Sequence, residues 1–265
     1  MSVGLPAGWM QPVFASPRVR ALMTARDGGV SLVPFDTMNL RDGLGDAAEA
    51  VARNRARLRQ ALGMPSVLLT QVHGVQVLDL APGMPAGAVA DASVCRVPGL
   101  ACEIQVADCL PVLLADTQGR GVAAAHAGWR GLAGGVIEAT LLRLCSALGC
   151  PATEVEVWLG PCIGPQAFEV GADVLAGFGV HSEAPGPHFR PGRPGKWLAD
   201  LPGLARDRLA RLGVPHVAGN DGSHAWCTFS HSSRFFSYRR DGVTGRMAAC
   251  IGLQDAVGPV ARTAA

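Results

Sequence analysis

Of the 23 basic residues in this 265-residue chain only Lys196 is a lysine, and 21 acidic residues bring the formal net charge to +2. So small an imbalance argues against electrostatic binding to nucleic acid or to an acidic lipid surface. No run of about 18 apolar residues survives the 34 glycines and 19 prolines, so no membrane span is expected. None of the eight cysteines is spaced Cys-x-x-Cys, which removes the commonest zinc-ribbon and thioredoxin arrangements. The opening residues Met1 to Phe14 have neither a basic lead nor a long apolar stretch, so a secretory signal is not expected. The thiols are then expected to be reduced in the cytoplasm, each by default a small buried apolar group. Internal repeats, charge blocks, low-complexity linkers and glycine-rich phosphate loops are also missing.

What remains is 49% hydrophobic and 17% charged, a composition that folds. The length allows one large domain with a sizeable core, and a single domain over residues 1–265 is expected. Val67–Thr70, Val75–Leu80, Pro111–Ala115, Gly121–Ala125, Val155–Leu159 and Met247–Leu253 read as strands. A helix is expected from a cap at Asp46, with Glu49 completing a capping box, to Leu62 before Gly63. Two more are expected over Leu132–Leu148 and Leu201–Leu212, while Pro185–Pro194 reads as an exposed loop. Strands and helices mix without a regular βαβ alternation. The expected fold is therefore α+β (a mixed α/β domain), not a doubly wound sheet.

Three segments concentrate reactive side chains in apolar surroundings. They are Thr70-Gln71-Val72-His73-Gly74, Ala107-Asp108-Cys109-Leu110-Pro111 and Ala125-His126-Ala127-Gly128-Trp129-Arg130-Gly131. Each polar group falls at the end of an expected strand, where a rigid scaffold presents side chains to a cleft. His73, Cys109 and His126 make a natural zinc ligand set that leaves a fourth position for water or substrate. Beyond His126, a strand-to-helix turn through Gly128 and Gly131 offers free backbone N–H groups, with Arg130 beside them, as a perch for an anion.

These residues carry a resemblance. The chain resembles the YfiH-like family, also called the laccase-domain or multicopper polyphenol oxidase-like family, over nearly its whole length. Beside the three segments, the match runs through Ala25-Arg26-Asp27-Gly28-Gly29-Val30-Ser31, Met38-Asn39-Leu40, Asn54-Arg55 and Gly160-Pro161-Cys162-Ile163-Gly164-Pro165. It continues through Phe168-Glu169-Val170, Cys227-Thr228, Phe236-Ser237-Tyr238-Arg239-Arg240 and Gly245-Arg246. The resemblance implies a zinc site of His73, Cys109 and His126, and a fold like that of cytotoxic-necrotizing-factor-like cysteine hydrolases: mixed sheets in a sandwich with flanking helices. It implies purine nucleoside phosphorolysis, in which adenosine or inosine and inorganic phosphate give base and ribose 1-phosphate. Methylthioadenosine cleavage and adenosine deamination are implied as side activities. Asn39 and Arg130 are the residues chosen for substrate and phosphate contacts, and Asp108 for a proton shuttle or a supporting role.

Other chemistries stay open at this stage. Cys109 and His126 also suit a cysteine hydrolase or amidase, with thiol as nucleophile and imidazole as base. Copper outcompetes zinc on raw affinity, so copper is a possible substitute. However, none of the seven histidines forms the His-x-His pairs from which multicopper oxidases build their centres. A non-enzymatic zinc module would need a fourth protein ligand, for which Cys162 is the candidate.

Overall fold

The strand Leu110–Asp116 shows how the chain is layered. Alternate residues of a strand point to opposite faces. Val112 and Leu114 accordingly pack among Ile137, Leu141, Ala205 and Leu209 on one side. Leu113 and Ala115 face Ile104, Ala249 and Ile251 on the other. Both faces are covered, so all seven residues of the strand are buried and the stretch reads as an almost unbroken apolar run. The computed structural model describes residues 5–84 and 87–255.

Among the described residues, three mixed or antiparallel sheets make up the β structure. The largest runs in the order His216–Gly219, Val155–Leu159, Leu110–Asp116, Val122–Ala127, Ala92–Cys95, Val77–Asp79, parallel at its two outer pairs and antiparallel between them. A second sheet is ordered Val19–Met23, Met247–Leu253, Ala101–Val106, Ser66–Leu68, with the last pair parallel. These two sheets enclose one core. The helices Val136–Leu148 and Leu201–Arg211 cover the far face of the larger sheet, and Ala48–Leu62 covers the far face of the smaller. A small sheet of Phe189–Pro191, Trp197–Ala199 and Glu169–Val170 completes the set. The mixed α+β class expected from sequence is the one found. Among the described residues no helix is long and apolar enough to cross a membrane.

Three local expectations are corrected. The helix from Ala48 has no side-chain cap, because Asp46 is turned toward Asn39 and the N–H of Ala47. The helix expected over Leu132–Leu148 starts at Trp129 and is broken into Trp129–Gly134 and Val136–Leu148. Gly135 lies between them at φ 97°, a left-handed conformation that ends the first helix and is costly for any residue with a Cβ. Within Pro185–Pro194, residues Phe189–Pro191 form a strand, since Trp197–Ala199 returns antiparallel to it.

Where Leu110–Asp116 turns back, a buried carboxylate closes the hairpin. Asp116 accepts from Arg120 at Nη2 (2.6 Å) and Nε (3.0 Å), and from the backbone N–H groups of Arg120 and Gln118. Burial alone would raise the pKa of Asp116, but the Arg120 hydrogen bonds outweigh it and hold the carboxyl below its ordinary value. A group whose folded pKa is depressed adds stability above its unfolded pKa of about 4, and that stability is lost as pH falls through the folded value. Asp116→Asn is expected to cost about 1.5–3 kcal/mol at pH 7. The deficit should shrink below about pH 4, which urea denaturation at pH 7 and at low pH will read. An equal deficit at both would show that the charge is not what stabilises the turn.

Candidate metal centre

His126 is the second-last residue of Val122–Ala127 and stands opposite Pro111. Its backbone N–H donates to the carbonyl of Asp91 at 2.7 Å, away from Pro111, so this register tolerates a proline inside a central strand. Cys109 lies in the bend just before Leu110. His73 sits across from it in the turn after Leu69, at φ 61°.

Asp91 ties these elements together, although sequence reasoning passed over it. Its carboxylate, fully buried, accepts from the backbone N–H groups of Val72 (3.1 Å), His73 (2.9 Å) and Gly74 (2.7 Å). The same carboxylate lies 2.8 Å from His126 Nδ1. With the carboxylate as acceptor, Nδ1 carries the hydrogen and Nε2 is left free to bind. One signal could have found it. Asp91 stands alone in an otherwise uncharged stretch from Leu80 to Cys95, which a buried strand tolerates only where the carboxylate is paired.

The potential ligand atoms of His73, Cys109 and His126 all lie within 4.8 Å of one another. The two imidazoles meet edge to face with centroids 4.7 Å apart. His126 is buried, Cys109 half-buried and His73 exposed, so the cluster opens to one side. Gly128 forms its floor. A Cβ there would stand 2.6 Å from His73 Nδ1 and 3.1 Å from Cys109 Sγ, so any other residue would push into the space between them.

Burial opposes charge on His126, yet Cys109 and Asp91 outweigh it and raise its pKa to about 9. Burial and the charge of His126 hold His73 below the ordinary imidazole value. A proton and a metal ion therefore compete for His126. Two imidazoles and a thiol, one imidazole backed by a carboxylate, fit a divalent transition metal with a coordination position to spare.

The other residues singled out from sequence are placed as follows. Asp108 is buried at φ 100°, its carboxylate held by Thr228 Oγ1 (2.6 Å) and the backbone N–H of Arg239 (2.7 Å). It lies in a bend outside any strand. Asn39 is fully buried, with its amide spent on Arg41, Asp46 and Arg246. Arg130 stacks on Trp129 and lines a side cavity of about 180 Å³ that His73, Cys109 and Arg239 share. The anion perch expected there is reduced to a helix of six residues, Trp129–Gly134. Cys162 lies outside the cluster, its thiol occupied by Asn220 Nδ2 and the carbonyl of Ile163.

The cluster opens into a cavity of about 410 Å³, within the range of roughly 300–1,000 Å³ usual for small-molecule sites. Its wall joins Leu44, Val106 and Ala107 with the polar side chains of Arg41, Gln71, Gln105, Tyr238 and Arg246.

Comparison with known proteins adds four findings. The profile of the family described as multi-copper polyphenol oxidoreductase laccase matches residues 20–254. A Pseudomonas aeruginosa protein named purine nucleoside phosphorylase is 48% identical over 249 residues, covering 93% of this chain and 99% of that one. The Escherichia coli purine nucleoside phosphorylase YfiH is 46% identical over 246 residues, 91% of this chain and 97% of its own length. Among solved structures, a Neisseria meningitidis protein of the DUF152 family superimposes with a TM-score of 0.84 at 44% identity, covering 93% of this chain and 99% of that one.

Proposed function

The chain belongs to the multi-copper polyphenol oxidoreductase laccase family, and we propose that it is a purine nucleoside phosphorylase with zinc held by His73, Cys109 and His126. The observation that carries this reading is the open His/Cys/His cluster at the end of a nucleoside-sized cavity. The names of its relatives agree with it. Zinc in this position supplies Lewis acidity toward a substrate oxygen or water. Copper would suit the same donors and stands as a substitute. We place the protein in the cytoplasm, where reducing conditions keep Cys109 a thiol.

The chain's own residues then bind and orient. Asp91 fixes the His126 tautomer, and Gly128 keeps the space between the donors clear. Leu44, Val106 and Ala107 offer apolar surface to the flat base. Gln105 donates from Nε2 to the carbonyl of Leu40 and to Glu103, which fixes its amide and leaves Oε1 buried without a partner. Asp108 is committed to Thr228 and Arg239 and acts here as a support. Methylthioadenosine cleavage and adenosine deamination would draw on the same cavity.

Base release from inosine should require inorganic phosphate and yield ribose 1-phosphate in equal amount. Inosine consumption that runs equally fast without phosphate would sink the reading. One arrangement favours a second reading. Cys109, His126 and Asp91 stand in sequence as nucleophile, base and orienting carboxylate do in a cysteine hydrolase. Such an enzyme has no need of a second imidazole, and His73 on the same point speaks for the metal.

A further inference from the structure

Two guanidinium groups, those of Arg41 and Arg246, share the wall of the cavity with the His/Cys/His cluster. Among the described residues neither forms an ion pair within 4.0 Å. The acids nearest Arg41 in the chain are committed elsewhere. Asp42 is paired with Arg55 at 2.6 Å, and Asp46 accepts from the Asn39 amide at 2.9 Å. The Arg41 side chain makes no hydrogen bond within the described residues. Arg246 spends Nη1 on the carbonyls of Thr244 (2.9 Å) and Gly245 (3.1 Å), which leaves Nε and Nη2 unspent. Burial and the charge of Arg41 hold Arg246 below the ordinary guanidinium value, the mark of two cations facing one partly dry space.

The position of these two side chains is built, not incidental. Asn39 Oδ1 accepts from the backbone N–H groups of Arg41 (3.1 Å) and Arg246 (3.0 Å), and its Nδ2 donates to the carbonyl of Arg41 (3.0 Å). Asn54, also fully buried, donates to the carbonyl of Asn39, and Arg55 Nε donates to that of Leu40. Asn39 therefore pins together two segments far apart in the chain, each of which delivers one arginine to the cavity. Placing two like charges on one cavity wall, neither with an ion pair of its own, is unfavourable, so such an arrangement stores affinity for an anion that bridges them.

We propose that Arg41 and Arg246 form the oxyanion subsite of the cavity, with inorganic phosphate as its ligand, and that Asn39 is the positioning residue that sets their spacing. This extends the phosphorylase reading and transfers the phosphate contact from Arg130, in the side cavity, to the main one. A planar fork on each side suits the oxygens of a tetrahedral dianion.

The test is calorimetric titration of inorganic phosphate into metal-loaded protein, with no nucleoside present, followed by steady-state kinetics. Arg41→Gln and Arg246→Gln should each weaken phosphate binding about ten- to a hundredfold, the usual effect of losing a charged hydrogen bond. Arg130→Ala should bind phosphate as the parent does. Arg41→Lys, which keeps the charge, should recover part of the loss. Because the Arg41 side chain bonds to nothing else, its variants should remain folded, and unchanged metal content will verify this. In turnover, KM for phosphate should rise while KM for inosine stays. Phosphate affinity unchanged in Arg41→Gln, or lost in Arg130→Ala instead, overturns the assignment, as does a parent protein that binds no phosphate. Since binding is measured apart from turnover, a protein that binds phosphate through Arg41 but fails to phosphorolyse inosine would remove the proposed function and leave the subsite standing.

Discussion

Cys109→Ser and His126→Ala are each expected to strip the metal from the protein, and with it at least about a hundredfold of inosine turnover. That floor is what loss of a mere supporting contact to a ligand can reach, and these substitutions remove ligands. Serine is the informative replacement at 109. Its hydroxyl is close in size to the thiol but remains protonated near neutral pH, so it cannot act as the soft anionic donor zinc prefers. Neither variant should unfold. Cys109 is half-buried in a bend, and the strand bearing His126 keeps its backbone pairing on both sides. Emission spectrometry of the purified variants beside the inosine assay will read both effects. A hydrolase that uses Cys109 as nucleophile gives a different pattern, in which Cys109→Ser loses turnover with no metal to lose and the parent thiol alkylates readily. Metal-free protein with full activity would remove the zinc reading.

How far these residues were legible in the sequence follows from how each is held. His73, Cys109 and His126 stand out because a polar, ligand-capable side chain at the edge of an apolar stretch is conspicuous without knowing which strands pair. The strands Val155–Leu159 and Met247–Leu253 have the boundaries expected of them, being apolar runs bounded by turns. Asp91 was missed because its role arises only when Ala92–Cys95 lies antiparallel to Val122–Ala127 and brings it against His126, a pairing no local pattern announces. Asn39 and Arg130 were conspicuous for the opposite reason, their place in marked motifs. What holds each shows only in the fold, where the Asn39 amide bonds the backbone of Arg41 and Arg246 and the Asp46 carboxylate, and Arg130 lies over Trp129. The break at Gly135 was visible as a glycine, but the apolar periodicity of Val136, Ile137, Thr140 and Leu141 hid where the first helix ends.

Asp91 should produce the most divided outcome of any residue near the site, because it serves the fold and the cluster through the same two oxygens. Oδ2 accepts from Val72 and Gly74, while Oδ1 accepts from His73 and meets His126 Nδ1. Asp91→Ala leaves three backbone N–H groups and one imidazole N–H without their acceptor in a buried setting. A loss of about 3–5 kcal/mol in stability is expected, the usual result of breaking one side of a buried charged pair. Asp91→Asn separates the two roles. If the amide oxygen takes the Oδ2 position, its NH2 group faces His126 Nδ1 and the backbone N–H of His73. Donor then meets donor at His73, and His126 can satisfy the amide only by moving its hydrogen to Nε2, the nitrogen a metal needs bare. If the amide turns over, His126 keeps its tautomer, but Val72 and Gly74 lose their acceptor and the turn carrying His73 loosens. Either way the cluster suffers more than the fold. Asp91→Asn should lose only about 1–3 kcal/mol of stability, yet bind zinc about ten- to a hundredfold more weakly. Competition for zinc against a chromophoric chelator gives the affinity, and urea denaturation of the metal-free protein gives the stability. Zinc affinity equal to the parent's in Asp91→Asn would show that His126 orients itself without the carboxylate, and that Asp91 serves the fold alone.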